Sequence, residues 1–224
     1  MPISVYFLTL IIMSEDNHFR FLFHVHTAAS FDATTSLRRL LSAAVKHQVT
    51  HLAITEHNNF DSFQRASELL PSLQSRIELV PAVEYSTEVG DIIVLFVAEL
   101  LSFRTYQDLL RQAKARGGIV VLPHPYKRCA YPSGLIAELD LYELANFRGA
   151  AKTFDPSPFG RKGFIFGSDA HNFFDLPGYI NNYYSNLDFR SALLDGHPVP
   201  SFHRADVAFL NKLSKLLSKI RRTL

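Results

Sequence analysis

Seven side chains able to hold a divalent cation stand at the ends of apolar runs: His24, His26, His57, Glu84, His124, Asp169 and His171. His24 and His26 lie two residues apart after the run Phe19–Phe23. In a strand that spacing puts both imidazoles on one face. The set mixes imidazole with carboxylate and offers no thiolate, which selects Zn, Mn or Fe over a structural zinc site. It is also too large for one tetrahedral ion, so the expectation is two or three ions sharing a bridging carboxylate. Glu84 is the candidate bridge, because a carboxylate has two oxygens and a neutral imidazole one lone pair. Clustered ions suit phosphate-ester hydrolysis: one lowers the pKa of a bound water, and the others hold phosphate oxygens. Lys127 and Arg128 follow His124-Pro125 and are candidate phosphate ligands, with Arg148 and Arg161 less well placed.

These residues must be positioned by strands and helices that alternate along the chain. Strands are predicted at 19–23, 51–55, 77–83, 92–97, 119–122, 139–144 and 164–166. Helices are predicted from the periodic apolar residues Leu37–Val45, with Ser36 as N-cap, Phe63–Leu70, stopped near Pro71, and Tyr106–Ala113, closed by Gly117-Gly118. Repeated strand–helix units imply an α/β fold with a parallel sheet, open or closed into a barrel. The candidate ligands then gather at the C-terminal ends of the strands, where such folds build active sites. Residues 14–202 are read as one domain, and 203–224 as a basic amphipathic helix packed on it or extending it. Residues 1–13 are read as a tail or extra strand, with Met13 as an alternative start.

The 224 residues carry a formal net charge of +2, which gives no bias toward nucleic acid. A small phosphorylated substrate is therefore expected, without a stable nucleic-acid complex. The run 3–13 is too short to span a membrane and lacks the flanks of a signal peptide. A lone Cys129 forms no internal disulfide, and a cytoplasmic setting is the simplest reading.

The motifs also carry a resemblance. His24-Val25-His26-Thr27, then Asp32, Thr55-Glu56-His57-Asn58, Glu84-Tyr85-Ser86-Thr87, His124-Pro125 and Gly167-Ser168-Asp169-Ala170-His171 stand in the order found in the polymerase and histidinol phosphatase (PHP) family. The chain resembles that family of metal-dependent phosphoesterases over residues 19 to 180. The resemblance implies a distorted (β/α)7 barrel with up to three ions at the C-terminal ends of the strands. It implies His24, His26, His57, Glu84, His124, Asp169 and His171 as ligands, with Asp32 as a ligand or proton shuttle. A metal-bound hydroxide would attack phosphorus, assisted by Asp32 or by a water on Asp169. The chain departs from the family pattern at Leu22, where Asp is frequent, and at Glu56, which replaces Asp. It departs also at Asp91, which stands where many members have His and either substitutes as an oxygen ligand or leaves a two-ion site. A small-molecule phosphatase is the leading expectation. A nuclease-like phosphodiesterase and a degenerate metal-binding module are the alternatives.

Overall fold

A computed structural model describes residues 18–128, 130–149, 154–202 and 207–223. The readings made for residues 1–13 and for Cys129 lie outside the described residues, as do the side chains of 202–211, 213, 214 and 223.

The first half holds β1 (His18–Val25), α1 (Leu37–Lys46), β2 (His51–Ile54), α2 (Asp61–Leu69) and β3 (Glu78–Leu79), followed by the hairpin β4 (Ala82–Thr87) and β5 (Gly90–Leu95). The second half holds α3 (Tyr106–Ala115), β6 (Ile119–Leu122), α4 (Ser133–Glu138), β7 (Leu141–Asn146), β8 (Gly163–Gly167), β9 (Tyr179–Tyr184), α5 (Phe189–Asp195), β10 (Val199–Phe202) and α6 (Val207–Thr223). Helix starts follow their caps: Ser36 Oγ accepts from Arg39 N, and Thr105 Oγ1 from Asp108 N. Gly117 adopts a positive φ of 73° and ends α3 as expected.

The strands form two five-stranded sheets, in the orders β10-β9-β1-β2-β3 and β4-β5-β6-β7-β8. This is a mixed α/β fold, and no closed barrel is found among the described residues. Neither sheet is all-parallel, against the expectation from strand–helix alternation. β5 runs antiparallel to both β4 and β6, because only two residues join β4 to β5, too few for a crossover helix. β9 and β10 are also antiparallel, against β1 and each other. The strand expected at 77–83 is divided around Pro81, which has no N–H for the ladder. Single bridges, Val25 with Ala170 and His57 with Glu84, link the two sheets.

The core is apolar and continuous with the inner faces of the strands. Phe21, Phe23, Ile93, Val121, Leu141 and Ile165 pack in one cluster, while Leu22, Leu40, Leu52 and Ile180 pack in another under α1. Burying a side chain of this size stabilises by about 1.5–3 kcal/mol. α6 is held against the domain through the buried Ser218, whose Oγ lies 3.3 Å from Arg148 Nη2 and 3.5 Å from Asn172 Nδ2. Among the described residues no helix is long and apolar enough to cross a membrane.

Candidate metal centre

The sequence-predicted ligands gather in one cluster around Glu84; His24 and His26 are buried beneath the pocket that the others line. Glu84 Oε2 is 3.3 Å from His24 Nε2, 3.2 Å from His26 Nε2 and 3.4 Å from His57 Nδ1, and its Oε1 is 3.1 Å from His124 Nε2. A second carboxylate, Asp32, lies 3.1 Å from His171 Nε2 and 3.5 Å from His57 Nε2. Asp169 Oδ1 is 3.2 Å from His171 Nδ1 and 3.6 Å from His24 Nε2. Asp91 reaches His124 Nε2 at 3.6 Å. It arrives there because β5 is antiparallel, so the start of that strand lies at the same rim as the ends of its parallel neighbours.

The backbone aims these groups at some cost. His24, His124 and Asp169 adopt φ of 58°, 35° and 49°, in a region that non-glycine residues rarely occupy. At His24 this coincides with a register shift between β1 and β2. Such conformations persist where surrounding contacts over-determine them, and they cluster at functional sites.

Carboxylates one layer out fix the imidazoles. Glu143 on β7 is fully buried, with Oε1 2.5 Å from His24 Nδ1 and Oε2 accepting from His124 N at 2.6 Å and Asn146 Nδ2 at 3.0 Å. A carboxylate there holds the proton on Nδ1 and leaves the Nε2 lone pair for a metal. A Cβ on Gly167 would overlap this carboxylate, which accounts for the glycine. Glu56 accepts from Thr27 N at 3.0 Å, Thr27 Oγ1 at 2.5 Å, Ser62 Oγ at 2.6 Å and Ser30 Oγ. Ser30 Oγ in turn lies 3.4 Å from His26 Nδ1. The extra methylene of Glu56 is thus absorbed in tying down the loop after β1.

The buried imidazoles and carboxylates shift one another's charge strongly. Burial favours the neutral form of His24, but Glu143, Glu84 and Asp169 outweigh it and raise its pKa well above the usual value. Burial, with His171 beside it, lowers His26 to about 3. Burial alone would raise Glu84, Asp32 and Asp169, yet the surrounding imidazoles, joined by Arg222 at Asp32 and by Arg148 and Lys127 at Asp169, hold all three below the ordinary carboxylate range. Buried His26 Nε2, His57 Nδ1 and Asp32 Oδ1 have no hydrogen-bond partner among the described residues. Unpaired buried polar atoms are costly, and a cation would satisfy them. Among the described residues, donor atoms within 4.8 Å of one another form four sets: His26, His57 and His171; His24, His26 and Glu84; His24, His124 and Asp169; Glu84, Asp91 and His124. The residues present therefore fit divalent ions.

Residues 23–121 match the PHP domain. The matched stretch holds His24, His26, Asp32, His57, Glu84 and Asp91; His124, Asp169 and His171 lie beyond it and join the same pocket in space. No curated protein matches the sequence. A two-domain protein from Bacteroides vulgatus, described as containing a predicted PHP-like metal-dependent phosphoesterase, superposes with a TM-score of 0.69 at 17% identity, over 88% of this chain and 70% of that one. PsfC from Pseudomonas syringae superposes with a TM-score of 0.66 at 18% identity, over 91% of this chain and 99% of that one.

The cations around the site sort differently from expectation. Lys127 and Arg148 line the ligand pocket, a cavity of about 240 Å³. Arg128 does not: it lines a separate cleft with Tyr126, Tyr131, Phe154 and Phe159, and its guanidinium packs near Gly90. The turn Pro125–Lys127 ends at Arg128 with extended backbone, which sends adjacent side chains apart. Two residues of the site were missed in the sequence. Glu143 carries no motif, and its one signal is a charge inside a predicted buried strand. Arg222 also lines the pocket, and its sequence context is a run of basic residues with nothing to single it out.

Proposed function

We propose that the protein is a metal-dependent phosphoesterase that hydrolyses a small phosphate monoester at a centre of two or three divalent ions. The observation that carries this is Glu84, fully buried, with its two oxygens shared among His24, His26, His57 and His124. His24, His26, Asp32, His57, Glu84, His124, Asp169 and His171 are the proposed ligands, with Asp91 beside His124 as an oxygen donor. Ions held there supply a water of lowered pKa and positive charge facing the phosphate. The chain's own residues do the rest. Glu143 and Glu56 hold His24 and the His26 loop in register. Asp32 and Asp169, both lining the pocket, are the proposed groups to accept and pass a proton. Lys127 and Arg148 face the same space and offer donors to phosphate oxygens.

The His/carboxylate donor set favours Zn, Mn or Fe. The bridges Val25–Ala170 and His57–Glu84 support reading the two sheets as the wall of a distorted (β/α)7 barrel with the site at its rim. Residues 14–202 are proposed as the catalytic unit with the helix of 203–224 docked on it, and the cytoplasm as its setting.

The test is metal content by elemental analysis, together with turnover of an aryl phosphate monoester and its diester, for wild type and Glu84→Gln. Two or three ions per chain and turnover lost in Glu84→Gln support the reading, and the monoester-to-diester ratio separates phosphatase from phosphodiesterase. Protein prepared with Mn and Zn that holds no metal would overturn it in favour of a non-catalytic module.

A further inference from the structure

Three cations reach the acidic pocket from three distant parts of the chain. Lys127 lies in the turn after β6, Arg148 in the turn after β7, and Arg222 near the end of α6. Arg222 Nη2 donates to Asp32 Oδ2 at 2.6 Å, and its guanidinium sits 5.5 Å from the centre of the Phe31 ring. One helical turn earlier, on the same face, Ser218 is buried between Arg148 and Asn172. Lys212, Lys215, Lys219 and Arg221 are exposed on the same helix. Ser218 thus anchors α6 where a residue four positions on must cross the pocket mouth.

The charge on the lining indicates what this arginine faces. Asp32, Glu84, Asp91 and Asp169 give four negative groups, against three positive ones from Lys127, Arg148 and Arg222. The lining is −1 by that count, so two divalent ions bring it to +3. A phosphate monoester carries about −1.5 to −2 at neutral pH and offsets more of this than a singly charged diester. Asp32 has one oxygen already without a hydrogen-bond partner. That oxygen is Oδ1, whereas Arg222 is bonded to Oδ2, so a metal held by Oδ1 would leave the guanidinium in place with further N–H donors to offer an anion. Its planar fork matches phosphate oxygens, and its side chain, 55% exposed, has room to turn.

We propose that Arg222 is a substrate-binding residue, which with Arg148 and Lys127 grips the terminal phosphate of a small monoester. This rests on the phosphoesterase reading. The experiment measures binding of inorganic phosphate by calorimetry to the Mn-loaded full chain, and KM and kcat on an aryl phosphate monoester. The proteins are wild type, R222Q, R222K and the exposed-surface control K212Q. Expected are phosphate affinity about 10- to 100-fold weaker in R222Q, a matching rise in KM with a smaller change in kcat, partial recovery in R222K, unchanged metal content and wild-type behaviour in K212Q. Unchanged phosphate affinity and KM in R222Q would overturn the proposal. Faster turnover in R222Q would overturn it too, making Arg222 a plug. Loss of metal and a lowered melting temperature in R222Q and R222K alike would also overturn it, making Arg222 a strut for α6. Phosphate binding that depends on Arg222 in a protein that hydrolyses no ester would sink the enzyme reading while leaving the anion grip standing.

Discussion

Glu143→Gln keeps the shape of a side chain and removes its charge. Both carboxylate oxygens are acceptors: Oε1 faces His24 Nδ1 at 2.5 Å, and Oε2 takes His124 N at 2.6 Å and Asn146 Nδ2 at 3.0 Å. An amide has one oxygen and one NH2, so either His24 or the His124–Asn146 pair must meet a donor. A buried donor left unmatched costs about 1–3 kcal/mol. Losing the group that orients a ligating imidazole weakens metal binding by about 10- to 100-fold, or about 1.4–2.7 kcal/mol. The two effects are of one size because they have one origin, the disturbed His24. We expect chelator-treated Glu143→Gln to lose about 1–3 kcal/mol in urea unfolding, and its Zn or Mn affinity to fall about 10- to 100-fold in competition with a chelator. The His24 pKa should also fall, because Glu143 is the foremost group raising it against burial; an NMR titration reads this directly. A folded Glu143→Gln with wild-type metal affinity would refute the reasoning that Glu143 sets His24.

Gly167→Ala should strike the same group from the other side, since the added methyl overlaps the Glu143 carboxylate. It should cost about 1–3 kcal/mol by overpacking and lower metal affinity, and an unchanged urea midpoint would count against it. Glu56→Asp draws the carboxylate back from Thr27, Ser30 and Ser62, so the metal-free protein should lose about 1–3 kcal/mol; equal stability would show that the loop closes on a shorter acid. The pH dependence of the metal-free protein should carry the mark of His26. Its pKa is about 3 when folded and about 6.5 when unfolded. Below about 6.5 the unfolded chain takes a proton that the folded one refuses, so stability falls with pH through that window. His24 and His57 are raised, and their contribution is already complete below their unfolded value. Asp32, Glu84 and Asp169 are depressed, and their contribution is lost only at lower pH, below about 4. His26→Asn should therefore flatten the slope between about pH 6.5 and 4; a slope equal to wild type would assign it elsewhere.

The cluster of candidate donors was legible because chemistry and position coincided. Imidazoles and carboxylates at the ends of apolar runs are expensive to bury without a role, and strand ends on one rim bring them together. The pattern was weaker for whatever acts through three-dimensional neighbours. Glu143 is ordinary by its sequence context and decisive by its contacts. Arg222 is one basic residue among several on α6, and only the anchoring of Ser218 selects it. Lys127 and Arg128 look equivalent as neighbours in sequence, but the turn points them into different cavities. β9 was missed because Asn181 and Asn182 interrupt its apolar pattern. Both are buried, and Asn181 accepts from Phe166 N and donates to Phe166 O, each at 2.9 Å, so its amide stands in for a strand backbone. The antiparallel β5 was hidden for a similar reason: its residues read as any buried strand, and the short turn Glu88-Val89 alone carries its direction.

The order of the sheets divides the chain unevenly. One sheet is made entirely from 82–167, while the other is assembled from the segments before and after it. His24, His26 and His57 come from the flanks, and Glu84 and His124 from the middle. A protein cut between Leu79 and Ala82 would therefore give two fragments, neither with a complete set of donors. Their reassembly could be followed through the return of tight cation binding, which makes this junction a natural place to build a split reporter.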